Sequence, residues 1–226
     1  MRAFHAQPTD SSRRRLLRQL AGASLCFPIG RGLAAQILAA LQVPPEQPEA
    51  SQAIAVSDDD NRLLEEIERA HFLFFWEQAN PQTGLVRDRV NVRSSDSGVV
   101  ASIAATGFGL TALCIAERNG YVPPSDARNR VLATMRFIRK KLPTHRGFFY
   151  HFANVNTGER IWDSEVSSVD TAILLAGVLT CRSHFEAHSE ISNLAFEIFN
   201  RVDWTWLSED TSLLTHGWTP ESGFLP

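Results

Sequence analysis

The chain has 226 residues, 44% hydrophobic and 21% charged, an ordinary globular composition with room for one or two domains. A net charge of −3 and a pI near 6.2 argue against nucleic acid as the main partner, because that partner calls for a basic face. Of the three cysteines, Cys114 and Cys181 sit in apolar runs without metal-ligand spacing and read as buried free thiols, with a disulfide as the alternative.

In chain order, the first segment is "SSRRRLLRQLAGASLCFPIGRGLAA". Arginines precede a moderately apolar run, and small residues follow it, the order of an export signal. Ser12 to Arg18 resembles the twin-arginine signal, with Leu16 where that pattern prefers Phe and Arg18 where it prefers Lys. Arg18, Pro28 and Arg31 break the run, so no stable membrane insertion is expected. Leu25 before Cys26 disfavours a lipid anchor. Residues 1–35 therefore read as a twin-arginine-type signal peptide, with a disordered basic tail as the alternative. The Tat export machinery would be a partner, and the location periplasmic or secreted. Residues 36–57, containing "QVPPEQPEASQA", read as a linker.

From there the spacing predicts helices. The first runs from about Asp59 to Gln78, with Leu63, Ile67, Ala70 and Phe74 on one face. The second, from about Ser102 to Arg118, is apolar almost all round. The third, from about Ser125 to Leu142, has one apolar face through Val131, Met135, Ile138 and Leu142, and prolines bracket it. The fourth, around "TAILLAGVL", is again apolar on every side. The fifth, about Ser189 to Val202, is one-sided through Ile191, Leu194, Ala195, Ile198 and Val202. A one-sided helix faces water, whereas a fully apolar one must be covered. Their alternation fits a double ring, the α/α toroid, with a plain antiparallel bundle as the alternative.

Two connections are not simple turns. Residues 81–100 lack helical period. Residues 147–163 alternate as a β-hairpin, Phe148, Tyr150 and Phe152 against Phe149 and His151, with the turn at Asn156-Thr157-Gly158. Both precede an apolar helix, which places them at one end, around one pit. "IWDSEVSSVD" then brings Asp163, Glu165 and Asp170 to the mouth of the fourth helix. If residues 163–165 are extended, Asp163 and Glu165 share a face roughly 6.5–7 Å apart. Asp170 lies about 140° from Glu165 if both are helical. Ser167 and Asp170 also fit a capping box. Glu165, before a buried helix, is the favoured proton donor. Arg87, Asp88 and Arg89 either pair with one another or bind hydroxyls. Trp76, Tyr150 and Trp162 are candidates to stack on sugar faces, although Trp76 at helical spacing equally suits a core. His151 faces either the pit or solvent. Trp204, Trp206 and Trp218 read as core or rim. Gly107 and Gly109 follow no strand, so they read as points of close helix packing, not as a phosphate loop.

"TGLVRDR", "ASIAATGFGLTAL", "RGFFYHF", "WDSEVSSVDTAILLAGVLT" and "RVDWTWL" together resemble the bacterial glucoamylase-like family. That family includes endo-β-1,2-glucanases and the glucoamylase-like segment of cyclic β-1,2-glucan synthases. The resemblance spans residues 59–226. It implies an all-α (α/α)6 toroid with a small β-hairpin insertion and a β-glucan, oligo- or polysaccharide, as partner. It also implies hydrolysis by carboxylates, with Glu165, Asp163 and Asp170 as catalytic candidates and Arg87, Asp88, Tyr150, His151, Trp162 and Trp76 as substrate-binding ones. Neither a cofactor nor a metal is expected. Twelve helices need roughly 300 or more residues, so the chain reads as the N-terminal part of such a domain. Three functions remain open: a glycoside hydrolase, a non-catalytic carbohydrate-binding or degenerate fragment, and a polysaccharide lyase using Tyr150 and His151.

Overall fold

Ser57 starts the first helix, α1 (Asp58–Gln78): its hydroxyl accepts from the Asp60 N–H, and three aspartates in the first turn favour the positive helix end. This computed structural model describes residues 57–209 and 213–225. The segments read as a signal peptide and a linker lie, up to residue 56, outside the described residues. The remaining elements are β1 (Val100–Ser102), α2 (Ile103–Arg118), α3 (Pro124–Lys140), β2 (Thr144–His145), β3 (Phe148–Phe149), β4 (Phe152–Asn154), β5 (Val166–Ser167), α4 (Ser168–His184), α5 (Ser189–Asn200), α6 (Trp204–Ser208), β6 (Gly217–Thr219) and β7 (Gly223–Leu225). The described chain is mainly helical, with three small sheets. None of these helices is long and apolar enough to cross a membrane.

All five helices foreseen from sequence form within a few residues of their expected bounds. α2 and α4, the two apolar ones, pack directly on each other, while α3 packs on α5 and α1 on α2. Gly107 lies against Leu174, and Cys114 meets Cys181, seven residues further along both helices. The pair therefore runs parallel. A Cβ on Gly177 would stand 2.1 Å from the Gly107 carbonyl oxygen, and one on Gly107 would stand 2.5 Å from the Ile173 carbonyl oxygen. Only the missing side chains let the two backbones touch. Gly109 serves a different contact, opening room for Val86 and Phe75.

α3 and α5 turn one face inward. Val131, Met135, Ile138 and Leu142 are buried as their spacing requires, and so are Ile191, Leu194, Ala195 and Ile198. Arg136 pairs with Glu190 through two bonds of 2.7 Å on the outer side, and Arg139 with Glu197. Arg201 lies over the Phe149 ring and donates to the Ile138 and Arg139 carbonyls at the end of α3; burial lowers its pKa to about 10.

Three expectations need correction. Leu63 and Ile67 of α1 are exposed, and Phe72 is its one buried residue. Glu68 meets Asn119 and Tyr121 at the end of α2. The apolar helices are also not covered all round: Phe108 and Ile115 of α2 and Val169 and Leu179 of α4 are exposed among the described residues. The β content exceeds one hairpin. The turn at Asn156-Thr157-Gly158 forms, with Gly158 donating to the Asn154 carbonyl. Yet β3 pairs with β2, and β4 pairs with β1.

Substituting Gly177 tests the parallel contact. Gly177→Ala forces α2 and α4 apart and should lower stability by roughly 1–3 kcal/mol. Ala176→Ser, one residue away on the exposed side, should change it by less than about 0.5 kcal/mol. Urea melts followed by circular dichroism measure both. Equal stabilities would show that the glycine contact is not needed.

Candidate active site

A four-segment platform carries the site. Arg87 pairs with Ala101, Ala101 with Ala153, and Ala153 with Arg160. This joins the "TGLVRDR" segment and the hairpin at the N-terminal ends of α2 and α4. Next to it, Tyr150 pairs with Val166 of β5, which pairs with β6 and so with β7.

His151 lies between the two. Its N–H donates to the Glu165 carbonyl at 2.8 Å, and its carbonyl accepts from the N–H of Ile103, first residue of α2, at 3.2 Å. The ring stacks on Phe152 with centroids 3.8 Å apart. Its Nδ1 lies 3.1 Å from Glu165 Oε1, and its Nε2 lies 3.7 Å from Asp170 Oδ1. The side chains become more exposed outward: Asp170 at 11%, Glu165 at 15%, His151 at 29%. One imidazole therefore bridges two carboxylates at the mouth of a buried helix. The half-open choice for His151 is resolved toward the carboxylates.

Asp170 has a second duty. Ser167 caps α4 by accepting from the Asp170 N–H, and its hydroxyl donates to Asp170 Oδ2 at 2.5 Å. Half of the expected capping box is present: Ser167 caps the helix, but Asp170 Oδ2 takes the Ser167 hydroxyl instead of a free N–H, and its other oxygen turns to His151. The 140° separation reckoned for Glu165 and Asp170 does not apply, because Glu165 precedes β5 and lies outside the helix.

Asp163 does not share a face with Glu165. Trp162 and Asp163 both have left-handed backbone, φ 58° and 48°, so residues 161–164 turn instead of extending. Asp163 is exposed, and its carbonyl accepts from Arg160. The same turn pushes out Trp162, 66% exposed, with its ring edge-on to Phe152 at 5.2 Å. Left-handed backbone at two consecutive non-glycine residues is costly and persists only where neighbours hold it.

Arg160 is the main holder. It donates to the Ser164 carbonyl at 2.6 Å and to Asp163, forms a two-pronged pair with Glu221 at 2.7 and 2.9 Å, and lies 4.9 Å over the Tyr150 ring. The Glu221 bonds raise the Arg160 pKa, and the same bonds lower that of Glu221. His216, just before β6, brings Nε2 to 3.6 Å from Glu165 Oε1 and accepts from Ser168 through its carbonyl. Gly217 lets β6 approach, since a Cβ there would stand 2.8 Å from Glu165 Cγ. Arg160, Glu221 and His216 were not singled out from sequence. No local pattern marks them, because the β5–β6 pairing joins residues about fifty positions apart.

The other candidates are nearby or elsewhere. Arg87 donates to the Asp96 carbonyl, and Asp88 accepts from Arg89, on the same platform. Tyr150 lies beneath Arg160 and against the core. Trp76 is apart from the cluster: it packs on Phe72, with the Arg130 guanidinium 4.1 Å over its ring. One donor atom from each of His151, Glu165 and Asp170 lies within 4.8 Å of the others, close enough in principle to hold a cation. A histidine gives one nitrogen to a metal, however. Here each nitrogen already faces a carboxylate.

The Arg160–Glu221 pair has a pH signature. Its stabilisation is present above Glu221's ordinary value of 4.5 and is lost as pH falls through the lowered value in the folded protein. Glu221→Gln should therefore lower the melting temperature at pH 7, and its gap from wild type should close as pH drops below about 4. A gap independent of pH would mean that the ion pair does not hold the turn.

No family model matches the chain. It is 26% identical over 177 residues to the exo-β-1,2-glucooligosaccharide sophorohydrolase (non-reducing end) of Parabacteroides distasonis, covering 74% of this chain and 24% of that protein. It superposes on the endo-β-1,2-glucanase from Chitinophaga pinensis, in complex with sophorotriose and glucose, with a TM-score of 0.65 at 23% identity, covering 75% of this chain and 42% of that one. A glucoamylase-like protein from Bacteroides fragilis gives a TM-score of 0.64 at 27% identity, covering 76% and 43%. The chain thus spans about a quarter of the first protein's length and less than half of the two solved ones. Its homologues are endo- and exo-acting β-1,2-glucanases and glucoamylase-like proteins, matched over about three quarters of this chain at 23–27% identity.

Proposed function

We propose that this chain carries the acidic site of an exported glycoside hydrolase for β-glucan, with β-1,2-linked glucan as the favoured substrate. Its helices form part of an (α/α)6 toroid: α2 and α4 belong to the inner ring, α1, α3 and α5 to the outer. The observation that carries the reading is the Glu165 carboxyl, held 3.1 Å from His151 at the N-terminal ends of two parallel apolar helices.

Glycoside hydrolysis needs a proton on the leaving oxygen and a second carboxyl as base or nucleophile. Glu165 is the donor, and the base or nucleophile is a further carboxyl that neither Asp170, tied to His151, nor Asp163, exposed in its turn, supplies. Its side chain is largely sheltered yet reaches the surface, whereas Asp170 is capped by Ser167 and nearly closed off. Asp170 and His151 are positioning residues: Asp170 orients the imidazole, and the imidazole aims Glu165. Trp162 offers an exposed indole to a sugar face, beside the Phe152–His151 stack. Arg87 and Asp88, on the joined platform, bind hydroxyls.

Carbohydrate binding without turnover is the second reading. It is favoured by His151 itself, which fills the space between Glu165 and Asp170, so these two carboxyls cannot flank a sugar. The lyase reading has little support: Tyr150 lies under Arg160, and both nitrogens of His151 face carboxylates.

Reducing-sugar release from linear β-1,2-glucan, alongside calorimetric binding of its oligosaccharides, separates the readings. Glu165→Gln should cost roughly 10²- to 10⁴-fold in rate with little change in melting temperature. Asp170→Asn should lower stability by about 1 kcal/mol as the cap weakens. Asp163→Asn should behave like wild type. Oligosaccharide binding with no release by the wild-type chain would favour the second reading, and normal turnover in Glu165→Gln would remove Glu165 as the acid.

A further inference from the structure

Cys114 and Cys181 take no part in the site. Their Sγ atoms lie 3.6 Å apart, Cys114 directed at Cys181 and the Cys181 thiol at the Leu110 carbonyl. Both are buried, at 4% and 0% exposure, and neither is bonded covalently. They sit one heptad along from the place where Gly107 meets Leu174, on helices that run parallel. Glycine contact keeps helix axes near the lower limit of roughly 8 Å, and each helix has a Cα radius of about 2.3 Å. Facing Cα atoms are then roughly 4–6 Å apart, within the span a disulfide requires. The sulfurs must close by about 1.5 Å to reach bonding distance, which rotation about χ1 supplies.

We propose that Cys114 and Cys181 are a disulfide site that covalently joins α2 to α4 when the chain folds in the presence of an oxidised thiol–disulfide exchange partner. One cysteine, as thiolate, attacks the partner's disulfide and forms a mixed disulfide. The other then displaces the partner's remaining sulfur. The two protein thiols lose two electrons and two protons, and the partner's two sulfurs leave as thiols.

Timing follows from burial. The hydrogen bond with Cys114 and the apolar surroundings hold the Cys181 thiol well above its ordinary pKa, so little thiolate forms once the helices have closed. Exchange belongs to the folding chain. In the folded state the bond is sealed from reductant by the same packing. Because the two residues are 67 apart in sequence, the cross-link removes considerable freedom from the unfolded chain.

The test uses the full chain with Cys26→Ser, so that two cysteines remain. The protein is unfolded and refolded in a glutathione redox mixture or in reductant. It is then alkylated under denaturing conditions and mapped by peptide mass spectrometry. Oxidative refolding should give mostly the Cys114–Cys181 linked peptide, and the product should melt roughly 5 °C or more above the reduced form. Dithiothreitol should break the bond only when denaturant is added. Recovery of both cysteines alkylated after oxidative refolding would overturn the proposal. So would a linked form that melts below the reduced one, or one that is reduced freely without denaturant.

Discussion

His151 cannot move without disturbing both α2 and α4. Its carbonyl holds the first N–H of α2, its N–H holds the residue that leads into β5 and α4, and its ring stands between Glu165 and Asp170. The backbone bonds fix the imidazole's origin, and stacking on Phe152 fixes its plane. The geometry of the candidate acid therefore derives from main-chain pairing and does not rest on side-chain contacts alone. Such support is what a catalytic carboxyl needs, because a small misplacement costs rate steeply.

The arrangement depends in turn on how closely α2 and α4 approach. Both helices start at the platform, capped by Ser102 and Ser167, so their N-terminal ends lie side by side. Gly107 and Gly177 set the spacing between them, and the Cys114–Cys181 contact continues it toward the other end. Beside those ends, Arg160 ties the left-handed turn at Trp162 and Asp163 to Glu221 in the β6–β7 turn. The site is thus assembled from pieces far apart in sequence that share one rigid base.

The helices were legible in sequence because their information is local. Apolar spacing gave the buried faces of α3 and α5, and Ser167 with Asp170 gave the cap of α4. The closeness implied by Gly107 was legible for the same reason. Burial on α1 was not: Leu63 and Ile67 have the right period, but among the described residues they stay exposed, and Phe72 is buried instead. The site was half legible. Glu165, Asp170 and His151 were each noted, but their meeting was not, since it rests on strand pairs of two or three residues that join distant segments. The turn at Trp162 and Asp163 defeated the extended reading because the left-handed conformation there is held by Arg160, which is itself anchored by Glu221, 61 residues away and outside the local window.

The central claim is that the His151 imidazole couples Glu165 to Asp170. A double-mutant cycle of Glu165→Gln and Asp170→Asn, measured by urea unfolding, can be run with His151 present and with His151→Ala. The account predicts a coupling of about 0.5–1 kcal/mol with the imidazole, falling below about 0.3 kcal/mol without it. The same coupling in both backgrounds, or none with His151 in place, would contradict it.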